Sequence, residues 1–77
     1  MNYLTNMSPA LLTAREQQIL EFIADGLSAK QVARCINIAP RTVERHIEHI
    51  RQKMHARNTP HMIYQAFKSG MLDVAVG

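Results

Sequence analysis

Only three residues, Asn37-Ile38-Ala39, separate two stretches of this chain that read as helices. Before the gap, Ser28-Ala29-Lys30-Gln31 is a capping box, whose side-chain oxygens satisfy amides left open at a helix start. Leu27 and Val32 stand where a hydrophobic staple would lie. Val32, Ala33 and Ile36 recur at helical spacing, and Asn37 tolerates the left-handed conformation that ends a helix. After the gap, Pro40 takes a first-turn position, where its missing amide costs little. A link this short makes the two helices cross steeply, as in a helix-turn-helix. Ala33 falls where the pair must approach closely.

The rest of the chain has the same punctuation. Thr13-Ala14-Arg15-Glu16 is another capping box, followed by Ile19, Leu20 and Ile23 at helical spacing and by Gly26 as a terminator. A fourth helix starts at Asn58 or Thr59, has Pro60 in its first turn, turns Ile63, Ala66 and Phe67 inward, and stops at Gly70. Strand-like alternation, internal repeats and low-complexity stretches are missing. The 77 residues therefore form one small all-α domain over 11–72, between an N-terminal tail, 1–10, and a C-terminal tail, 73–77. Tyr3, Leu4 and Met7 in the first tail are candidates to pack on the body or on a partner.

Placed at about 100° per residue, residues 40–55 divide into faces. Val43, Ile47, Ile50 and Met54 form the core stripe. Thr42, His46, His49 and Lys53 line one flank, while Arg41, Glu44, Arg45, Glu48 and Gln52 project away from the core. A helix in a DNA major groove would use such a division, with the outward face at base edges and the flank at phosphates. Arg45 suits a two-pronged contact with guanine. Thr42, His46 and Lys53 suit phosphates, and Lys30 reaches one from the second helix. The plainer alternative is a solvated face in which Arg41 pairs with Glu44, and Arg45 with Glu48. The two glutamates demand an explanation on either account, because a polyanion repels them. They would read cytosine, whose exocyclic amine donates to a carboxylate, or orient the arginines toward guanine.

Charge is uneven along the chain: the balance is −2 over residues 1–27, +5 over 28–57 and zero over 58–77. A basic middle suits one surface for an anionic partner. The lone cysteine, Cys35, excludes an internal disulfide and suits a reducing compartment. It reads as a small buried residue rather than a nucleophile. The N-terminus lacks a signal-peptide pattern, and no segment approaches the roughly 20 apolar residues of a membrane span. His46, His49, His55 and His61 lack the cysteine or carboxylate pattern of a metal site. Neither a nucleophile–base spacing nor a phosphate-cradling glycine loop points to an enzyme. No cofactor or metal is expected.

The segments "LTAREQQIL", "GLSAKQVA", "APRTVERHI" and "KMHARN" occur in that order within residues 12–72. In this combination the chain resembles the LuxR-type (GerE-like) DNA-binding domain over about four-fifths of its length. The resemblance implies a four-helix bundle with a helix-turn-helix, whose third helix enters the major groove and whose fourth forms a dimer contact. It implies base-reading positions at Glu44, Arg45 and Glu48, joined by Arg41 on the same face, and phosphate-contacting or supporting positions at Lys30, Thr42, His46 and Lys53. The dimer contact would involve Met62, Ile63, Tyr64, Ala66 and Phe67. Two departures stand out. Ala39 replaces the usual polar cap of the recognition helix, and Glu48 stands where many relatives place a basic or neutral reader, so their operators do not carry over.

The implied function is that of a cytoplasmic bacterial transcription regulator, nucleoid-associated when bound. Its expected partner is double-stranded DNA, held by a homodimer on a palindromic operator, with RNA polymerase or another LuxR-type regulator as further partners and no membrane. The alternative is a protein-interaction module or anti-activator pairing with such a regulator, for which Met62, Tyr64 and Met71 are the candidate surface. A sigma-factor region-four-like module is a third reading. About ten residues precede the domain, too few for a sensor, which implies either a bare domain or an excised one.

Overall fold

The computed structural model describes residues 12–73. Tyr3, Leu4, Met7 and the rest of the expected N-terminal tail lie outside the described residues, as do residues 74–77. Four helices follow one another: α1 (Ala14–Ala24), α2 (Ala29–Ile36), α3 (Pro40–Lys53) and α4 (Thr59–Lys68).

Each helix begins where its local chemistry favours a start. The Glu16 amide donates to Thr13 Oγ1 at 3.1 Å, and the Thr13 amide donates to Glu16 Oε1 at 2.9 Å. Ser28 and Gln31 make the same exchange at 3.2 and 2.8 Å. Asn58 caps α4 by accepting from the His61 amide at 2.9 Å, and His61 Nδ1 accepts in turn from the Arg57 amide at 2.9 Å. The exception is α3, whose N-cap Ala39 contributes no side-chain bond.

The four described helices end alike. At Gly26, His55 and Gly70 φ is +96°, +54° and +84°. This left-handed step lets the next amide, on Leu27, Ala56 or Met71, bond back to the carbonyl of Phe22, Arg51 or Ala66. Two of these residues are glycine, which takes positive φ without a Cβ penalty. Histidine at position 55 is the departure, and the sequence reading did not single it out. Helix α2 makes the same turn at Asn37, in the left-handed region as expected, with φ 57° and the Ile38 amide bonded back to the Ala33 carbonyl.

The core is drawn from every helix: Ile19 and Leu20, Val32 and Ala33, Val43 and Ile50, Met62 and Ala66. Leu12, Met54, Ala56, Met71 and Leu72 close it from the connecting segments. Helix α3 packs against both α1 and α2, and α4 rests on α3. The helix-turn-helix expected from the three-residue link is therefore the centre of the fold.

Some expected placements differ. Phe67 does not turn inward: it is 37% exposed, while Met62 is fully buried. Met62 and Ala66, four residues apart, share one stripe of α4, and Phe67 lies about 100° round the helix from Ala66. Met71 is also buried, because the turn at Gly70 folds it back over α4, so it is no candidate for a free interaction surface. Cys35 is exposed rather than buried, because the buried positions on α2 are Val32 and Ala33.

Candidate nucleic-acid interface

The candidate face is built by the opposition of two stripes on α3. Val43, Ile50 and Met54 are buried and Ile47 is half-buried, so this side is fixed against the body. Arg41, Glu44, Arg45, Glu48 and Gln52 are all exposed, as the helical spacing predicts. Thr42, His46 and Lys53 are half-buried on the flank, whereas His49 is exposed.

On the outward face, Arg41 is not paired with Glu44, and Arg45 is not paired with Glu48. Glu48 instead takes Arg51 in a two-pronged ion pair. Arg51 Nε donates to Oε1 at 2.9 Å, and Nη2 donates to Oε2. Gln52 Nε2 adds a bond to Oε2 at 3.2 Å. The Arg51 guanidinium beside Glu48 holds its carboxyl below the usual carboxylate range, and the pairing raises Arg51 in return. Arg51 is anchored further by a 2.8 Å bond from Nη1 to the Ala56 carbonyl.

Lys53 was expected at a phosphate. Its Nζ lies 2.6 Å from Glu16 Oε1, on the first turn of α1. Glu16 is almost completely buried. Burial pushes its carboxyl up, but Lys53 together with the Thr13 amide and hydroxyl outweighs that, and the net shift is downward. Lys53 thereby ties the last turn of α3 to the first turn of α1.

A groove between α2 and the start of α3 is lined by Lys30, Ala33, Arg34, Asn37, Ile38 and Pro40. It sets Lys30 of α2 on the same groove as Pro40, the first residue of α3. It also brings in Arg34, exposed and one turn beyond Lys30, which the sequence reading passed over. The i,i+4 spacing from Lys30 was the available signal. On α4, Tyr64 is 60% exposed and Phe67 is accessible, whereas Met62 and Ala66 are sealed in the core. Of the five residues expected at a dimer contact, those two buried ones offer no surface, and Ile63, Tyr64 and Phe67 remain. Among the described residues, no group of three His, Cys, Asp or Glu side chains is arranged to hold a metal. No described helix is long and apolar enough to cross a membrane.

A family model described as bacterial regulatory proteins, luxR family, matches residues 10–66, which include α1, α2, α3 and most of α4. The chain belongs to the luxR family. LuxR-type proteins are DNA-binding transcription regulators and not enzymes. The chain is 36% identical over 69 residues to the oxygen regulatory protein NreC of Staphylococcus carnosus, covering 90% of this chain and 32% of that protein. It is 39% identical over 59 residues to the transcriptional regulatory protein FixJ of Rhizobium meliloti, covering 77% and 29%. It is 30% identical over 64 residues to the transcriptional regulatory protein DegU of Brevibacillus brevis, covering 83% and 27%. This LuxR-type chain thus spans about a third or less of the length of these relatives. No solved structure gives a significant match.

Proposed function

We propose that this LuxR-type domain regulates transcription in the bacterial cytoplasm by binding double-stranded DNA sequence-specifically, with α3 in the major groove. The observation that carries the reading is the exposed row Arg41, Glu44 and Arg45, whose side chains are not paired with one another across the turns of the helix. Groups of this kind, held on a helix whose other side is locked into a core, suit base edges. Arg45 contacts guanine O6 and N7, a contact worth about 1–3 kcal/mol against a wrong base. Arg41 extends this row toward the N-terminus of α3, and Glu44 and Glu48 accept from exocyclic amines. Lys30, Arg34, Thr42 and His46 hold phosphates and set register. Ile63, Tyr64 and Phe67 join two copies, so that the operator is a palindrome.

The exposed aromatic pair on α4 also fits the second reading, in which the domain pairs with another LuxR-type regulator. One experiment separates the two. Bound sequences are selected from a random duplex pool, and affinity for the winner is followed against salt. The DNA reading expects a palindrome and a linear fall of log affinity with log salt, steeper with each phosphate contacted. Failure to enrich any sequence, with co-purification of another regulator, establishes the second reading instead.

A further inference from the structure

The arrangement around Arg51 exceeds what an exposed ion pair needs. Its guanidinium bonds both oxygens of Glu48, and a separate arm of the same group bonds the Ala56 carbonyl at 2.8 Å. Ala56 is itself fixed: its amide bonds the Arg51 carbonyl at 3.0 Å, and the left-handed His55 makes that return possible. Residues 51 and 56 therefore exchange two hydrogen bonds, and the guanidinium is held to the backbone at the end of α3. A carboxylate gripped by such a group has lost the rotamer freedom of an ordinary surface glutamate.

The grip has two consequences at a DNA groove. First, the charge of Glu48 is matched within the protein, so the glutamate does not approach the phosphates as a bare anion. Second, its acceptor sites are rationed. A carboxylate has roughly four lone-pair sites. Arg51 takes two and Gln52 takes another, leaving about one for a base.

We infer that Arg51 is a specificity-determining positioning residue: it holds Glu48 so that its remaining lone pair selects a base with an exocyclic amine in the major groove. Cytosine fits, because its N4 donates. Guanine presents only acceptors there, and adenine sets N7 beside its amine. Arg51 itself touches no base. This inference rests on the proposed reading of α3 as the base-reading helix.

The test selects operators from a random duplex pool with the 77-residue chain, then repeats the selection with Glu48→Gln, Arg51→Lys and Arg51→Met. Glu48→Gln should lose a preference for cytosine of about tenfold or more at one position of each half-site. Both Arg51 variants should lose the same preference at the same position, while the guanine preferences set by Arg41 and Arg45 persist. Lysine keeps the charge but cannot grip both oxygens while holding Ala56. A double variant, Glu48→Gln with Arg51→Met, should lose no more cytosine preference than Glu48→Gln alone. Melting curves taken alongside separate lost folding from lost selectivity, since a merely structural arginine would weaken all positions together. If the Arg51 variants keep the cytosine preference, this inference falls and the DNA-reading proposal stands. If the unaltered chain enriches nothing, both fall.

Discussion

Lys53 on the last turn of α3 is bonded to Glu16 on the first turn of α1, 37 residues earlier, through a 2.6 Å contact. Glu16 is at once the last residue of its own capping box, at the third position of α1, and the partner that ties down α3. One carboxylate thus couples the start of α1 to the orientation of α3.

Replacing Glu16 by Ala removes the capping-box acceptor and leaves Lys53 without its nearly buried partner. The expected cost is about 2–3 kcal/mol, read as a fall of roughly 10 °C or more in melting temperature. The pH dependence has a definite sign. The folded-state pKa of Glu16 is depressed, so its contribution is complete above the unfolded value, near 4.5. It is lost as pH falls through the lower folded value. Glu16→Gln should flatten the acid limb of a stability–pH curve in that window. An unchanged limb would show that the pair contributes nothing.

Ala39 leaves the first turn of α3 without a side-chain cap. Ala39→Ser should stabilise the domain by about 0.5–1 kcal/mol, raising its melting temperature by a few degrees. Differential scanning calorimetry on the two chains measures this directly.

His55 holds φ at +54°, a conformation that costs most non-glycine residues roughly 1 kcal/mol. His55→Gly should be neutral or stabilising in urea titration. His55→Val, branched at Cβ, should be destabilising by about 1–2 kcal/mol.

Arg45 and Lys30 should fail in different ways. Arg45→Ala should lower affinity for the selected operator and flatten preference at one base pair, a loss of about 1–3 kcal/mol. Lys30→Ala should weaken every duplex alike and reduce the salt slope by about one. Thr42→Asp should likewise weaken all sequences without unfolding the domain. Fluorescence anisotropy at several salt concentrations distinguishes the patterns.

Tyr64 and Met62 sit two residues apart on α4 with opposite exposure. Tyr64→Glu should leave the fold intact and disrupt dimers, seen as monomers in sedimentation and weakened binding to a full palindrome with half-site affinity retained. Met62→Glu should unfold the domain, because it buries an unpaired charge. A Tyr64→Glu chain that still dimerises would place the contact elsewhere.

Much of this was legible in the sequence because it is local chemistry. The two capping boxes, the left-handed Asn37 and the outward row of α3 depend on residues three to five apart, and they formed as read. Errors gathered where rotation about a helix axis decides burial. Phe67 and Met62 are both apolar and lie on α4, and periodicity in a ten-residue helix does not settle which of them faces the core. Cys35 failed for the same reason on the shorter α2. The partners that Lys53 and Glu48 take within the protein were not legible, because opposite charges lay at several spacings and the geometry of the folded helices chose among them.

By itself, then, the sequence determined where the helices begin and end, that the central pair packs together and which side of α3 carries polar groups. Those properties follow from capping, from the three-residue link and from helical periodicity. Only the tertiary structure decided that Lys53 reaches across to Glu16 and that Tyr64 rather than Met62 meets solvent. Each of these depends on how one helix is turned against another, and that angle is set by packing of the whole core at once.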